Sequence, residues 1–184
     1  IADGDWSSDV CSSDLVGVFG DRQTFERVGS TDAFDAVVEG PETTVGVRDP
    51  VLGYPGRTSV YEDGSAACVV WGEAYRPDDS GEAVARWLCE TAKGDPEMAL
   101  RLLNGSYVAV IDVPETTLVA TDTIRSWEVF FTDAAGPRVF GSDATAVAQT
   151  IDAPELDLWP TYEFLILGGA LTDRTPITAL DRLP

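Results

Sequence analysis

Few residues in this chain of 184 are equipped for covalent chemistry. There is no histidine, which removes the usual general base and the usual metal ligand together. A Ser-His-Asp or Cys-His mechanism is therefore impossible within the chain. The three cysteines are Cys11, Cys68 and Cys89, and their spacings match no zinc or redox motif. Cys68 lies in an apolar run and Cys89 in an expected helix, where a thiol is core filler. The remaining polar residues of note are Arg48 at the end of Val45-Gly46-Val47-Arg48, the run Trp71-Gly72-Glu73-Ala74-Tyr75, and Asp79 beside Ser80.

The elements that must position them follow from patterning. Leu15 to Gly20 reads as a buried strand. Thr31 to Glu39 reads as a short helix with Phe34, Val37 and Val38 on one face, ended by Gly40-Pro41. Thr43 to Val47 is a strand, and Thr58–Tyr61 with Ala66–Trp71 makes a hairpin across Glu62-Asp63-Gly64. Asp79 and Glu82 form a capping box for a helix reaching about Ala92, and Asp95-Pro96-Glu97 opens a second helix. Four apolar runs then lie between Leu103 and Phe140, the pattern of an antiparallel meander. A short helix is expected over Asp143–Thr150, and a last one over Leu158–Leu167 with Gly168 as terminator. Strands in hairpin order with helices between them give an α+β layered fold.

Charge is the extreme quantity. Thirty-two acidic side chains face twelve basic ones, for a formal net charge of −20. Lys93 is the only lysine. Such a surface repels itself at low ionic strength, and the repulsion is screened when the Debye length falls to ~3 Å in 1 M salt. The composition suits a halophilic protein. A patch for a basic partner is disfavoured because the acids are spread along the whole chain. Nucleic acid is excluded as a partner, since it needs clustered Lys and Arg. No apolar run approaches the ~18 residues that would span a bilayer, so a cytoplasmic protein is expected.

The order and spacing of several motifs resemble one family, the amino-terminal glutaminase domain of asparagine synthetases. Leu103-Asn104-Gly105-Ser106-Tyr107-Val108-Ala109-Val110 is similar to its Leu-x-Gly-x-Phe-Ala-Phe-Ala strand. Ala120-Thr121-Asp122 through Val129-Phe130-Phe131 is similar to its Ala/Gly-Arg-Asp-x-x-Gly-x-x-Pro-Leu-Tyr-Tyr run, without the turn's arginine, glycine and proline. Phe140-Gly141-Ser142-Asp143 is similar to its Phe-Ala-Ser-Glu strand end. The resemblance covers Val16 to Pro184 and implies the four-layer αββα sandwich of amino-terminal-nucleophile hydrolases.

The resemblance also implies site positions. The family's amino-terminal cysteine, whose own α-amine acts as base, falls at Ser13; Cys11 lies two residues too early. The oxyanion asparagine falls at Trp71, and losing such a donor costs ~2.7–4 kcal/mol of transition-state stabilisation. Gly72, Glu73 and Tyr75 match the family's Asn-Gly-Glu-x-Tyr motif. The glutamine-binding arginine falls at Arg48, and the acid that holds the substrate amine falls at Ser80, with Asp79 adjacent. A glutaminase-like domain with a degenerate site is therefore expected. The alternatives are a live glutaminase whose first residues were corrupted and a stand-alone binding module. Residues 1–14 read as a foreign or disordered leader, and residues 15–184 as the domain. A larger synthetase domain is expected to follow, as the implied partner. No cofactor is expected in this part; ATP and magnesium would belong to that second domain. Glutamine and a second copy of the chain are the other implied partners.

Overall fold

The computed structural model describes residues 14–77, 83–132, 138–169 and 173–183. Among them are two antiparallel sheets and five α-helices, an α+β architecture. The first strands are β1 (Asp14–Phe19), β2 (Ala36–Glu39), β3 (Thr43–Arg48), β4 (Ser59–Glu62) and β5 (Ala67–Tyr75). They are followed by β6 (Asn104–Val113), β7 (Thr116–Thr121), β8 (Phe130–Thr132), β9 (Val139–Gly141) and β10 (Leu180–Arg182). The six-stranded sheet runs β10-β8-β9-β1-β3-β2 and the four-stranded sheet β4-β5-β6-β7. The helices are α1 (Arg22–Val28), α2 (Val84–Ala92), α3 (Pro96–Leu102), α4 (Ala144–Ala148) and α5 (Leu158–Leu167).

Side-chain alternation along β5 divides the core. Cys68, Val70 and Ala74 join a cluster with Val84, Leu88 and Cys89 of α2. Their neighbours Ala67, Val69 and Trp71 join Leu15 of β1, Val45 and Val47 of β3 and Phe140 of β9, so this second cluster draws on both sheets. A third cluster unites Val16 and Val18 of β1 with Phe25 of α1 and Val147 of α4. One buried carboxylate also ties the sheets together. Asp112 Oδ2 on β6 accepts from the backbone N–H groups of Glu42 and Thr43 and from the Thr43 hydroxyl, each at 2.8 Å. Its Oδ1 accepts from Thr117 Oγ1 at 3.1 Å.

Several sequence expectations need correction. The helix expected over residues 31–39 is a single 3-10 turn at Thr31–Ala33 followed by β2. Val37 and Val38 pair with Gly46 and Val45 of β3, so sheet pairing overrides the local pattern. The four-strand meander is also divided. The strands β6 and β7 pair in the smaller sheet, whereas β8 and β9 belong to the larger one. The crossing is made at Asp122, whose carboxylate accepts from Ile124 N at 3.0 Å and Ser126 N at 3.1 Å, turning the chain out of β7. The helix α1 was not anticipated, because Phe25 is its one buried side chain. The proposed capping box at Asp79 and Glu82 lies outside the described residues, and α2 starts at Val84 after Ala83, which offers no side-chain cap. Two helix ends match their signals: Asp95 accepts from Met98 N at the start of α3, and Gly168 ends α5 in the left-handed region at φ 75°.

Candidate functional site

A cavity of about 410 Å³ opens where the core shared by the two sheets ends. Its floor and walls come from β5, from the segment that joins β3 to β4, from Ser106 of β6 and from Trp127 in the β7–β8 connection. Trp71 and Glu73 lie two residues apart, on the same face of β5. The indole of Trp71 is 1% exposed and belongs to the core cluster drawn from both sheets. Its ring lies 4.6 Å from that of Trp127, tilted by 58°. The two indoles differ in one respect. Trp127 Nε1 donates to the carbonyl of Ser106 at 3.1 Å, whereas the buried Trp71 Nε1 has no acceptor among the described residues.

Gly72 is required by geometry. Its φ is +103°, and a Cβ there would stand 2.5 Å from the Ser106 carbonyl oxygen on the paired strand. Its N–H donates to Thr58 Oγ1 at 2.9 Å, and that hydroxyl in turn donates to Asp49 Oδ2. The buried Asp49 carboxylate also accepts from Val51 N at 3.0 Å. A chain of three groups thus fixes the β3–β4 segment against β5. At the mouth, Arg57 pairs with Glu73, both nearly half exposed, which adds one charge of each sign but little stability. Tyr75 OH donates to the other Glu73 oxygen at 3.4 Å.

The structure brings only part of the expected site together. Trp71, Gly72 and Glu73 line the cavity; Arg48 does not. Arg48 Nε donates to the Ala33 carbonyl at 2.8 Å, and Nη1 lies 4.0 Å from Asp14 Oδ2. Asp14 begins β1 directly opposite Arg48, and Asp49 is the next residue along, so the cavity wall adjoins the start of β1. Ser13, Cys11, Asp79 and Ser80 lie outside the described residues.

Cys68 is fully buried and does not line the cavity. The Cys89 thiol beside it and burial push the Cys68 thiol well above the ordinary range, which suppresses the thiolate. Among the described lining residues, neither cysteine nor histidine is present, so the cavity offers shape, two indoles and an ion pair. Asp49, Thr58, Arg57 and Trp127 escaped the sequence reading. The one available signal was Asp49-Pro50 after a strand, which reads only as a turn.

No protein-family model matches this sequence, and no curated protein matches it either.

Proposed function

We propose that this chain is a glutaminase-like domain of an asparagine synthetase-related, ATP-dependent amidotransferase, and that its amide-hydrolysing site is closed. In this reading the domain has the four-layer αββα arrangement. The three core clusters support it: one drawn from both sheets, one between the smaller sheet and α2, and one between the larger sheet and α1 with α4.

The observation that carries the reading is Trp71. Amide hydrolysis by an amino-terminal nucleophile needs donors aimed at the developing oxyanion, about 2.7–3.1 Å away. At the asparagine position stands an indole whose N–H is buried and has no partner among the described residues, so no substrate carbonyl reaches it unless the ring moves. The next backbone N–H, that of Gly72, is committed to Thr58 Oγ1. Arg48, at the position expected to hold the substrate carboxylate, is engaged by the Ala33 carbonyl. The domain then serves as a packing partner for a synthetase domain that would carry ATP and magnesium.

The test is a gain-of-function experiment. A version starting at position 13 with Ser13→Cys supplies a thiol and a free α-amine. It is expected to release no ammonia or glutamate from glutamine above background. Hydrolysis at a rate typical of amidotransferases, about 1 s⁻¹ or faster, would overturn the closed-site reading and restore the live-glutaminase alternative.

A further inference from the structure

The cavity beside Trp71 carries an unbalanced charge. Two carboxylates line it, Asp49 and Glu73, against one cation, Arg57. Arg57 is paired with Glu73, and Arg48, the residue before Asp49, lies against Asp14. Among the described residues no arginine or lysine pairs with Asp49. A buried carboxylate is costly unless hydrogen bonds or a cation answer it.

Asp49 differs in this from the other buried carboxylates. Asp112 accepts four hydrogen bonds. Asp122 also accepts four. Asp49 accepts two, from Val51 N and from the Thr58 hydroxyl. It is also the only one of the three that lines this cavity. Those two bonds fix the carboxylate in place, and its charge is left for something else to balance.

The opposite side of the cavity is aromatic. Trp127 is partly exposed there, and its N–H is already spent on the Ser106 carbonyl. What this indole offers a ligand is therefore its π surface, whose negative potential attracts a cation. The Trp71 ring lies 4.6 Å behind it.

We propose that this cavity binds a small quaternary ammonium ion, with its methyl groups against the Trp127 indole and its charge beside Asp49. The inference stands on the charge and shape of the cavity and does not depend on the amidotransferase reading. A volume of about 410 Å³ suits a small organic ligand. An anion is disfavoured by Asp49 and by the net charge of −20. A neutral ligand leaves Asp49 unanswered. A hard metal cation needs several oxygen ligands, and no group of three or more His, Cys, Asp or Glu able to hold one exists among the described residues. A primary ammonium brings three N–H donors that need close acceptors. Asp49 is only 6% exposed, and both Glu73 oxygens are already engaged by Arg57 and Tyr75. A methylated ammonium needs no acceptor, only the nearby charge and the indole.

Titration calorimetry of the whole chain with choline tests this. About 0.5 M KCl suppresses diffuse cation uptake by the acidic surface. One saturable site with a dissociation constant of about 1 mM or tighter is expected. Two analogues of choline should each bind at least about tenfold more weakly: the neutral alcohol in which tert-butyl replaces trimethylammonium, and ethanolamine, which carries a primary ammonium. Asp49→Asn keeps the shape and removes the charge. Trp127→Leu removes the indole at a partly exposed position, so it reads the same contact should Asp49→Asn fail to fold. Each variant that retains the wild-type circular dichroism spectrum should bind choline about tenfold or more weakly. No saturable choline binding up to about 50 mM, equal binding of either analogue, or undiminished binding by folded Trp127→Leu would each overturn the proposal. Ammonia release by the Ser13→Cys version is read separately, so failure here leaves the closed-site reading standing, and the reverse.

Discussion

Replacing Trp71 by phenylalanine separates a packing role from a polar one. The indole N–H is buried without an acceptor among the described residues, and such a group costs about 1–3 kcal/mol. Trp71→Phe removes that penalty. It also leaves a gap of roughly 40 Å³, which at about 24 cal/mol per Å³ costs about 1 kcal/mol. Lost apolar burial of the missing ring atoms adds about 1 kcal/mol more. The opposing contributions nearly cancel, so the net change should lie within about 1 kcal/mol of zero. Trp71→Ala, by contrast, empties the end of the core shared by both sheets and should cost about 3–5 kcal/mol. Equilibrium urea unfolding in about 2 M KCl reads both variants, with m unchanged as the check that the comparison is fair. A Trp71→Phe cost above about 2.5 kcal/mol would mean that the N–H has a partner in solution. Trp71 Nε1 would then not be the unsatisfied donor described above.

Other perturbations follow from the same geometry. Asp112→Ala strips four donors of their acceptor, two of them backbone N–H groups, and should cost about 3–5 kcal/mol in urea unfolding; a loss under about 1 kcal/mol would mean water replaces the carboxylate. Gly72→Ala places a methyl group 2.5 Å from the Ser106 carbonyl at a φ of +103°, so a loss of about 2–4 kcal/mol and a lower Tm are expected. The Asp63 carboxyl is held well below the ordinary range by the Lys93 ammonium first and by the Ser65 hydroxyl and N–H next. Its stabilising effect is thus present above the unfolded carboxylate pKa and is lost as pH falls through the folded one. In Lys93→Met the Asp63 carboxyl should titrate closer to ~3.9 by carbon-13 NMR; an unmoved titration would place the ammonium elsewhere in solution.

Elements with local punctuation were legible in the sequence. Asp63-Gly64 between two apolar runs announced the β4–β5 hairpin, Asp95-Pro96 the start of α3, and Gly168 the end of α5. What failed was decided at a distance. Val37 and Val38 suit either a helix face or a strand, and only the presence of β3 settles the choice. The transfer of the chain from one sheet to the other after β7 depends on Asp122 gathering N–H groups of the following turn, and the apolar pattern carries no mark of it. The candidate cavity was half legible. The Trp71-Gly72-Glu73 run lines it, but its other wall comes from the β3–β4 segment, where Asp49 and Thr58 carry no motif. Arg48, expected from the sequence to bind a ligand, instead donates to the Ala33 carbonyl of the 3-10 turn, which lies within its reach.

The carboxylate of Asp112 also bears on how the molecule opens. It belongs to one of the two inner strands of the smaller sheet yet holds the turn between two strands of the larger one. Neither sheet can fray along that side without stranding a charge away from water. Amide protons in β6 and in β3 should accordingly exchange with deuterium through a shared opening event, at matching free energies, although no hydrogen bond of either ladder connects them.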